Sequence, residues 1–257
     1  MMENKSFAVI IPLFNHEARI ADVVNSAKKL GFPVIVVDDG STDGSLRNIE
    51  KNPGITIIRH GSNRGKGAAL KTGFMKAVET AKWAITIDAD GQHNPKDAAN
   101  LIAAIPESRR PIVIGARQQM IGKDVPWTSR FGRGFSNFWV YLSGGPCVSD
   151  SQSGFRIYPL PEAMLLDVKA DRFQFEVEIL ARAGWNRMPV IEAPVSVSYR
   201  PGTPRISHFH PFRDFMRNAS TFARLITGRI FIPRRYRLIT LPVKQHEQTH
   251  CAPARRR

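Results

Sequence analysis

The chain is poor in cysteine. Cys147 and Cys251 stand far apart, with neither the spacing of a disulfide framework nor that of a zinc site. A chain without such a framework suits a reducing compartment. The sequence also lacks any run of ~18–20 uninterrupted apolar residues, so no transmembrane helix is predicted. Its first residues, MMENKSFAVIIPLF, lack the charged segment, long apolar segment and cleavage site of a signal peptide. These absences predict a cytoplasmic protein that reaches a membrane, if at all, from its cytoplasmic face. Acidic residues are scarce beside basic ones: 22 Asp and Glu against 37 Lys and Arg leave a net charge of +15. Such a field draws nucleic acid, anionic lipid or phosphorylated ligands, and composition alone does not choose among them. No recognised nucleic-acid motif is present, and the basic residues concentrate late in the chain, so no nucleic-acid partner is predicted.

The 257 residues suit one large α/β domain with an appendage, or two small domains. The first half alternates strand-like and helix-like segments. FAVIIPLF (Phe7–Phe14), PVIVVDDGS, ITIIRH, WAITIDAD and PIVIGAR read as strands. ARIADVVNSAKKL, GSLRNIEKN, GAALKTGFMKAVETA and PKDAANLIAAI read as helices. Alternation at this pitch predicts a mostly parallel sheet with helices on both faces, and the nearly continuous apolar strands fit burial on both sides. Later, TSRFGRGFSNFWVYLSGG is a helix candidate, PVSVSY a strand, and RPGTPRISHFHP a loop. Residues 1–210 form the main domain in this reading.

A further helix is predicted from Pro211 to about Ile232. At roughly 100° per residue, Phe212, Phe215, Met216, Ala219, Phe222, Ala223, Ile226 and Ile230 share one broad face, with Arg213, Arg217 and Arg224 opposite. A basic amphipathic helix with aromatics can lie in a membrane interface. It can equally dock on the domain with its arginines in water. Residues 211–237 make this segment, and 238–257 are expected to be a disordered basic tail.

In parallel sheets ligands bind beyond the carboxyl ends of the strands. Every strand candidate of the first half ends in polar chemistry: Asn15 and Glu17; Asp38 and Asp39; Asn63 to Gly67; Asp88 and Asp90; Gly115 and Arg117. Any one of these is an ordinary loop, but five at one edge form a site. Asp88-Ala89-Asp90 offers hard oxygen ligands suited to Mg²⁺ or Mn²⁺, with Gln92 adding an amide oxygen. Two neighbouring carboxylates would otherwise repel, and one would take up a proton. Ser41, Thr42 or Asp43 could cap the helix candidate that follows Asp38-Asp39. GSNRGKGAAL is strand-loop-helix with glycines, as a phosphate cradle needs, yet it fails the Walker pattern and lacks the third glycine of the dinucleotide fingerprint. Asp88 does lie about twenty residues on, where that fingerprint wants an acid, so an NAD(P)-dependent oxidoreductase is the alternative reading.

VIIPLFNHE, VVDDGSTDGS, NRGKGAALKTG, IDADGQHNP, IGAR, DSQSGFRIY and FQFEVEIL, in this order, resemble the family 2 glycosyltransferases of GT-A fold. Among them the polyprenyl-phosphate (dolichyl-phosphate-type) hexosyltransferases are most similar, and the resemblance runs roughly from Phe7 to Phe209. It implies a Rossmann-like GT-A domain that transfers a hexose with inversion from a nucleoside-diphosphate sugar, at a membrane surface, to a lipid-linked or hydroxyl acceptor. Pro12, Asn15, Glu17, Asp38 and Asp39 would hold the nucleoside, with Asn63, Gly65 and Lys66 lining the same crevice. Asp88, Asp90 and Gln92 would hold Mg²⁺ or Mn²⁺ on the diphosphate. Arg117, Arg130 and Arg133 would bind an acceptor phosphate, whereas a hydroxyl acceptor would need Asp150 as base. Asp150 could instead be a cap or a partner of Arg156. Arg200, Arg205 and Ser207 would belong to a loop closing over the donor. His16 departs from the acidic pair common in relatives, and His93 is assigned proximity to the site without a ligand role.

Overall fold

The computed structural model describes residues 6–117, 127–197 and 211–232, and the side chains of 132–142 and 218–232 within its two long flanking helices. In chain order the elements are β1 (Phe7–Leu13), α1 (Glu17–Lys28), β2 (Val34–Asp38), β3 (Ile55–Arg59), α2 (Lys66–Ala77), β4 (Trp83–Thr86), α3 (Ala98–Ala103), β5 (Ile112–Arg117), α4 (Trp127–Leu142), β6 (Arg156–Pro159), α5 (Glu162–Leu165), α6 (Phe175–Trp185), β7 (Val190–Val195) and α7 (Pro211–Phe231). A single-turn 3₁₀ segment, Pro95–Asp97, leads into α3, with the Asn94 side chain accepting the Lys96 amide.

The strands form one sheet in the order β3-β2-β1-β4-β6-β5-β7. β1, β2, β3 and β4 pair in parallel, as do β5 and β7, but β6 runs antiparallel to both neighbours. Side chains alternate across each strand. Ala8 and Ile10 of β1 thus join a core with Phe74 of α2, Ile179 of α6 and Phe222 of α7. Val9, Ile11 and Leu13 join a second core with Ile20 and Val24 of α1 and Leu101 of α3. Both faces are covered, as the apolar runs require.

Three local expectations are corrected. GSLRNIEKN is not a helix: its i+4 bonds, such as Asn48 N–H to the Gly44 carbonyl, are mixed with i+3 bonds and the segment stays a series of turns. The last strand begins earlier than PVSVSY, at Val190, and tolerates Pro194 because β7 lies at the sheet edge. The third correction concerns α7, which docks through Thr221, Phe222 and Leu225. Phe222 stacks on Trp139 of α4 with ring centroids 6.0 Å apart. Arg224, expected in a solvated stripe, is 45% exposed, and its guanidinium also reaches the fully buried Glu178 at 2.6 Å. The docked arc is therefore rotated from the predicted apolar face by roughly a third of a turn at ~100° per residue. Ala219, Ala223 and Ile230 are left exposed. Phe212, Arg213, Phe215, Met216 and Arg217 lie outside the described side chains.

Glu178 anchors this arrangement. Its oxygens accept the Lys169 and Ala170 amides at 3.1 and 3.0 Å and the Arg182 guanidinium at 2.7 Å, besides Arg224. Burial alone would push the carboxyl up, but the Lys169 amide and the two guanidinia outweigh it and hold it below its ordinary 4.5. Such a group stabilises the fold fully above its unfolded pKa and loses that contribution as pH falls through the lower folded value. Glu178→Gln is expected to destabilise by roughly 2–4 kcal/mol at pH 7, with the gap to wild type shrinking below about pH 4.5. Urea melts at pH 7 and pH 3.5 test this, and a gap independent of pH would refute it.

Candidate active site

The crevice opens where β1 and β4 part. The Ile87 N–H bonds the Ile10 carbonyl at 3.0 Å. The next β1 position facing β4 is Pro12, which has no N–H to give, so pairing stops there. Pro12 thus shapes the crevice from within the strand, where it is buried in register with Val37.

The loops after β1 and β2 are clamped to each other. Asn15, at φ 52°, accepts the Thr42 and Asp43 amides on its side-chain oxygen at 2.8 and 3.4 Å, and its own amide donates to Ser41 Oγ at 3.0 Å. The His16 amide donates to Ser45 Oγ, and the Glu17 amide to Asp43 Oδ2. Asp43 also accepts the Ser45 amide at 2.9 Å, so it caps the turns after β2. The Glu17 carboxylate lies over Gly44, where a Cβ would strike it. Asn15, and the backbone of Glu17, are thereby committed to loop structure.

Asp38 and Asp39 divide their tasks. Asp39 accepts His60 Nδ1 at 2.7 Å and the Arg64 and Gly65 amides at 2.9 and 2.7 Å, so its carboxylate builds the loop before α2. Asp38 is fully buried and its Oδ1 accepts the Ser41 amide. Its Oδ2 has no hydrogen bond, although Arg59 Nε lies 3.2 Å away. A buried acceptor left this way is uncommon and invites a donor from a ligand.

The phosphate-cradle reading of GSNRGKGAAL is also corrected. The Ala68 amide at the start of α2 donates to the Asp171 carbonyl at 2.9 Å, taking a place an anion would need. A Cβ on Gly65 or Gly67 would collide with the backbone of Asp171. These glycines admit a protein segment rather than a diphosphate. Asn63 is held to the same segment, accepting Arg172 Nη1 at 3.0 Å.

Lys66, the first residue of α2, projects its ammonium to 2.6 Å from Asp88 Oδ1 and 2.6 Å from Glu176 Oε1. Burial disfavours its charge, but the two carboxylates outweigh this and raise its pKa. Burial likewise opposes ionisation of Asp88, and Lys66 reverses the balance and holds its carboxyl low. Asp90 is pushed up by burial and then by the Asp88 charge, although the Gln92 amide donates to its Oδ1 at 3.0 Å. Two hard carboxylates in conflict, with Gln92 beside them, are a donor set that a divalent cation would reconcile. Among the described residues no group of three or more His, Cys, Asp or Glu could hold a metal, so diphosphate and water oxygens would have to complete the shell. His93 is buried against Phe155 with ring centroids 5.4 Å apart, and its Nδ1 has no hydrogen-bond partner.

The loop before β6 closes the opposite wall. Asp150 is 1% exposed, and both its oxygens bind Arg117: Nε at 2.6 Å and Nη2 at 2.8 Å. Glu192 accepts the Ser149 and Asp150 amides, and Asn137 bridges the Ser149 carbonyl and Ser151 amide, so the loop is fixed from two sides. Arg156 is not the partner of Asp150. It is fully buried and donates to the carbonyls of Ser153, Glu176 and Ser151 at 2.7, 2.9 and 2.8 Å. Gly154 leaves room for chemistry: a Cβ there would meet both Asp88 oxygens and Lys66 Nζ. Gly154, Glu176 and His60 went unassigned in the sequence; the motif DSQSGFR was the available signal for the first. Arg133, on α4, is half-buried, while Arg205 and the rest of its loop lie outside the described residues, as does the Arg130 side chain.

An α/β sheet that gathers carboxylates, an ammonium and a guanidinium at its strand ends has the build of an enzyme for an anionic ligand. The chain belongs to glycosyl transferase family 2, whose profile it matches over residues 8–160. It is 33% identical over 220 residues to the UDP-N-acetylglucosamine–dolichyl-phosphate N-acetylglucosaminyltransferase of Methanococcus voltae, covering 77% of this chain and 88% of the relative. It is 27% identical to the dolichyl-phosphate β-glucosyltransferase of Dictyostelium discoideum, covering 87% of this chain and 75% of the relative. The fold is shared with glucosyl-3-phosphoglycerate synthase of Mycobacterium tuberculosis, solved with Mn²⁺, UDP and phosphoglyceric acid. That structure covers 90% of this chain and 80% of its own with a TM-score of 0.66, at 18% identity. The protein is a glycosyltransferase of GT-A type, and the oxidoreductase alternative is set aside.

Proposed function

We propose that this glycosyltransferase moves a hexose, with inversion, from a nucleoside-diphosphate sugar to a polyprenyl-phosphate-type acceptor at an anionic membrane surface. The observation that carries the acceptor class is the two-pronged Asp150–Arg117 pair. A hydroxyl acceptor must lose a proton, but the residue the sequence offers as base is bound through both oxygens to a guanidinium. A lipid phosphate is already an anion and needs only positioning, for which an oriented guanidinium suits. Asp150 then acts as a positioning residue for Arg117. The dolichyl-phosphate acceptors in the names of the two relatives support the same class.

On the donor side, the unsatisfied Asp38 Oδ2 suits an N–H or O–H of the nucleoside. Mg²⁺ or Mn²⁺ held by Asp88, Asp90 and Gln92 would stabilise charge on the departing diphosphate. The sugar carbon develops oxocarbenium character as its bond to the donor oxygen lengthens. Direct attack by the acceptor phosphate from the opposite side gives inversion. A screen of UDP- and GDP-sugars with Mn²⁺, offering polyprenyl phosphate or the matching alcohol, tests this. Transfer is expected to the phosphate, and Asp150→Asn should lose roughly 10–100-fold in kcat/KM, mainly by raising the acceptor KM. Equal use of the alcohol, or a fall confined to kcat, would refute the acceptor assignment.

The surface that supports a membrane contact in this reading is at the joined ends of α4 and α7. Arg229 donates to the Leu142 carbonyl at 2.6 Å and ties the ends together. Phe138, Tyr141, Ile230 and Phe231 are there 57%, 60%, 67% and 76% exposed. The exposed arc of α7 continues this surface, and the sequence IPRRYR follows it with three arginines. Apolar residues beside cations suit an anionic interface, and among the described residues no helix is long and apolar enough to cross a membrane. Co-sedimentation with phosphatidylglycerol vesicles is expected for the wild type, and an Ile230→Glu/Phe231→Glu double variant should lose most of it. Absence of wild-type binding at low salt would refute this contact.

A further inference from the structure

Lys66 stands where the acid pair most needs a positive charge. Its ammonium sits on Asp88 Oδ1 and on Glu176 Oε1 at 2.6 Å each, and its side chain is 14% exposed. We infer that Lys66 is an internal counter-cation that competes with the divalent metal for Asp88, so that the metal enters together with the nucleoside diphosphate rather than ahead of it. This rests on the metal seat proposed above.

Three observations carry it. First, without a donor the seat among the described residues has two carboxylates and the Gln92 amide, and one of the carboxylates is already paired. A divalent ion arriving alone would meet a neighbouring ammonium with little screening between them. Second, Glu176 is buried on α6 and gives Lys66 a second partner. The ammonium can release Asp88 without becoming an unpaired buried cation, which would be costly. Third, the cluster is tightly fitted, since a single Cβ at Gly154 would touch both Asp88 oxygens and Lys66 Nζ. A diphosphate changes the balance by bringing negative charge and oxygen ligands at once, so metal and Lys66 no longer contend for the same carboxylate alone. Glu176 is the positioning residue of this exchange, and ordered entry of donor and metal is its consequence.

Mn²⁺ titration of the full chain, followed by the electron paramagnetic resonance signal of free Mn²⁺ with and without UDP or GDP, tests the inference apart from activity. Wild type is expected to bind Mn²⁺ weakly alone and much more tightly with the nucleotide. Lys66→Met should bind Mn²⁺ alone at least about tenfold more tightly than wild type, as removing a nearby unit charge implies, and Lys66→Arg should restore weak binding. A folded Lys66→Met no tighter than wild type overturns the inference and leaves the metal seat standing. Should Lys66→Met not fold, Glu176→Gln decides: its Mn²⁺ affinity should fall several-fold because Lys66 then pairs with Asp88 alone, and unchanged affinity overturns the inference. Wild type that binds no Mn²⁺ even with UDP or GDP overturns the metal seat and this inference together.

Discussion

Asp90→Ala is expected to fold as well as the wild type and to lose transfer activity by at least about a thousandfold, equivalent to ~4 kcal/mol of transition-state stabilisation. The two halves of this result have one cause. In the metal-free protein Asp90 is a liability, since its carboxyl is pushed up by burial and by the Asp88 charge. Removing it relieves a repulsion, so the thermal midpoint without metal should stay level or rise. In the proposed metal seat, with donor and metal present, the same carboxylate would be a ligand that alanine cannot replace. Thermal melts by circular dichroism and a transfer assay with Mn²⁺ measure both halves. Full activity would remove Asp90 from the metal seat, and a collapsed fold would show its role to be structural.

Gly154→Ala should separate stability from activity in another way. The Gly154 carbonyl accepts the Thr86 hydroxyl at 2.8 Å, which fixes the backbone against β4. The added methyl must therefore be accommodated by what it meets, Asp88 Oδ1 and Lys66 Nζ, each 2.6 Å from the Cβ position, with Asp88 Oδ2 nearer still. These are the ends of side chains, which move at modest cost, so destabilisation should stay within about 1–2 kcal/mol. In the proposed function the displaced groups form the donor end of the site, and a shift of ~1 Å there can cost about a hundredfold in rate. Activity should fall by that order while the melt changes little. Gly184→Ala makes the contrast, because its Cβ would meet the Gly144 backbone and the loss there should be one of stability. Unchanged transfer by Gly154→Ala would mean that Asp88 tolerates displacement and does not set the geometry.

The strand ends were legible in the sequence because nearly continuous apolar runs stop abruptly at polar residues. β1, β2, β4 and β5 announce themselves, and their loops carry Asp38, Asp88, Asp90 and Arg117. Less legible was what each polar residue does there. Asn15 and Asp39 have the residue types of ligand contacts, yet their side chains clamp backbone amides about 26 positions away. Glu176 meets Lys66 through the packing of α6 on α2, and Gly154 meets Asp88 through the β4–β6 pairing, and no local pattern encodes those contacts. β6 was missed because a four-residue strand opening on an arginine looks like loop; carbonyls gathered around the buried guanidinium of Arg156 make it possible. The rotation of α7 from its predicted face has a similar origin. Summed hydropathy put Arg224 on the wet side, where it stays 45% exposed, but it does not reveal the pairing with the buried carboxylate of Glu178.

The reversed direction of β6 gives the enzyme a modular construction. Parallel strands only send chain out at the ligand edge, but a reversed strand brings chain in. Asp150 and Gly154 thus arrive at the crevice on an inbound segment, while Asp38, Asp88 and Arg117 sit on outbound ones. The segment that carries Asp150 can therefore differ in length or residue type up to Gly154 without redrawing the loops that follow β1, β2 and β4. On the proposed function, such a fold would keep its donor loops while its acceptor side changes.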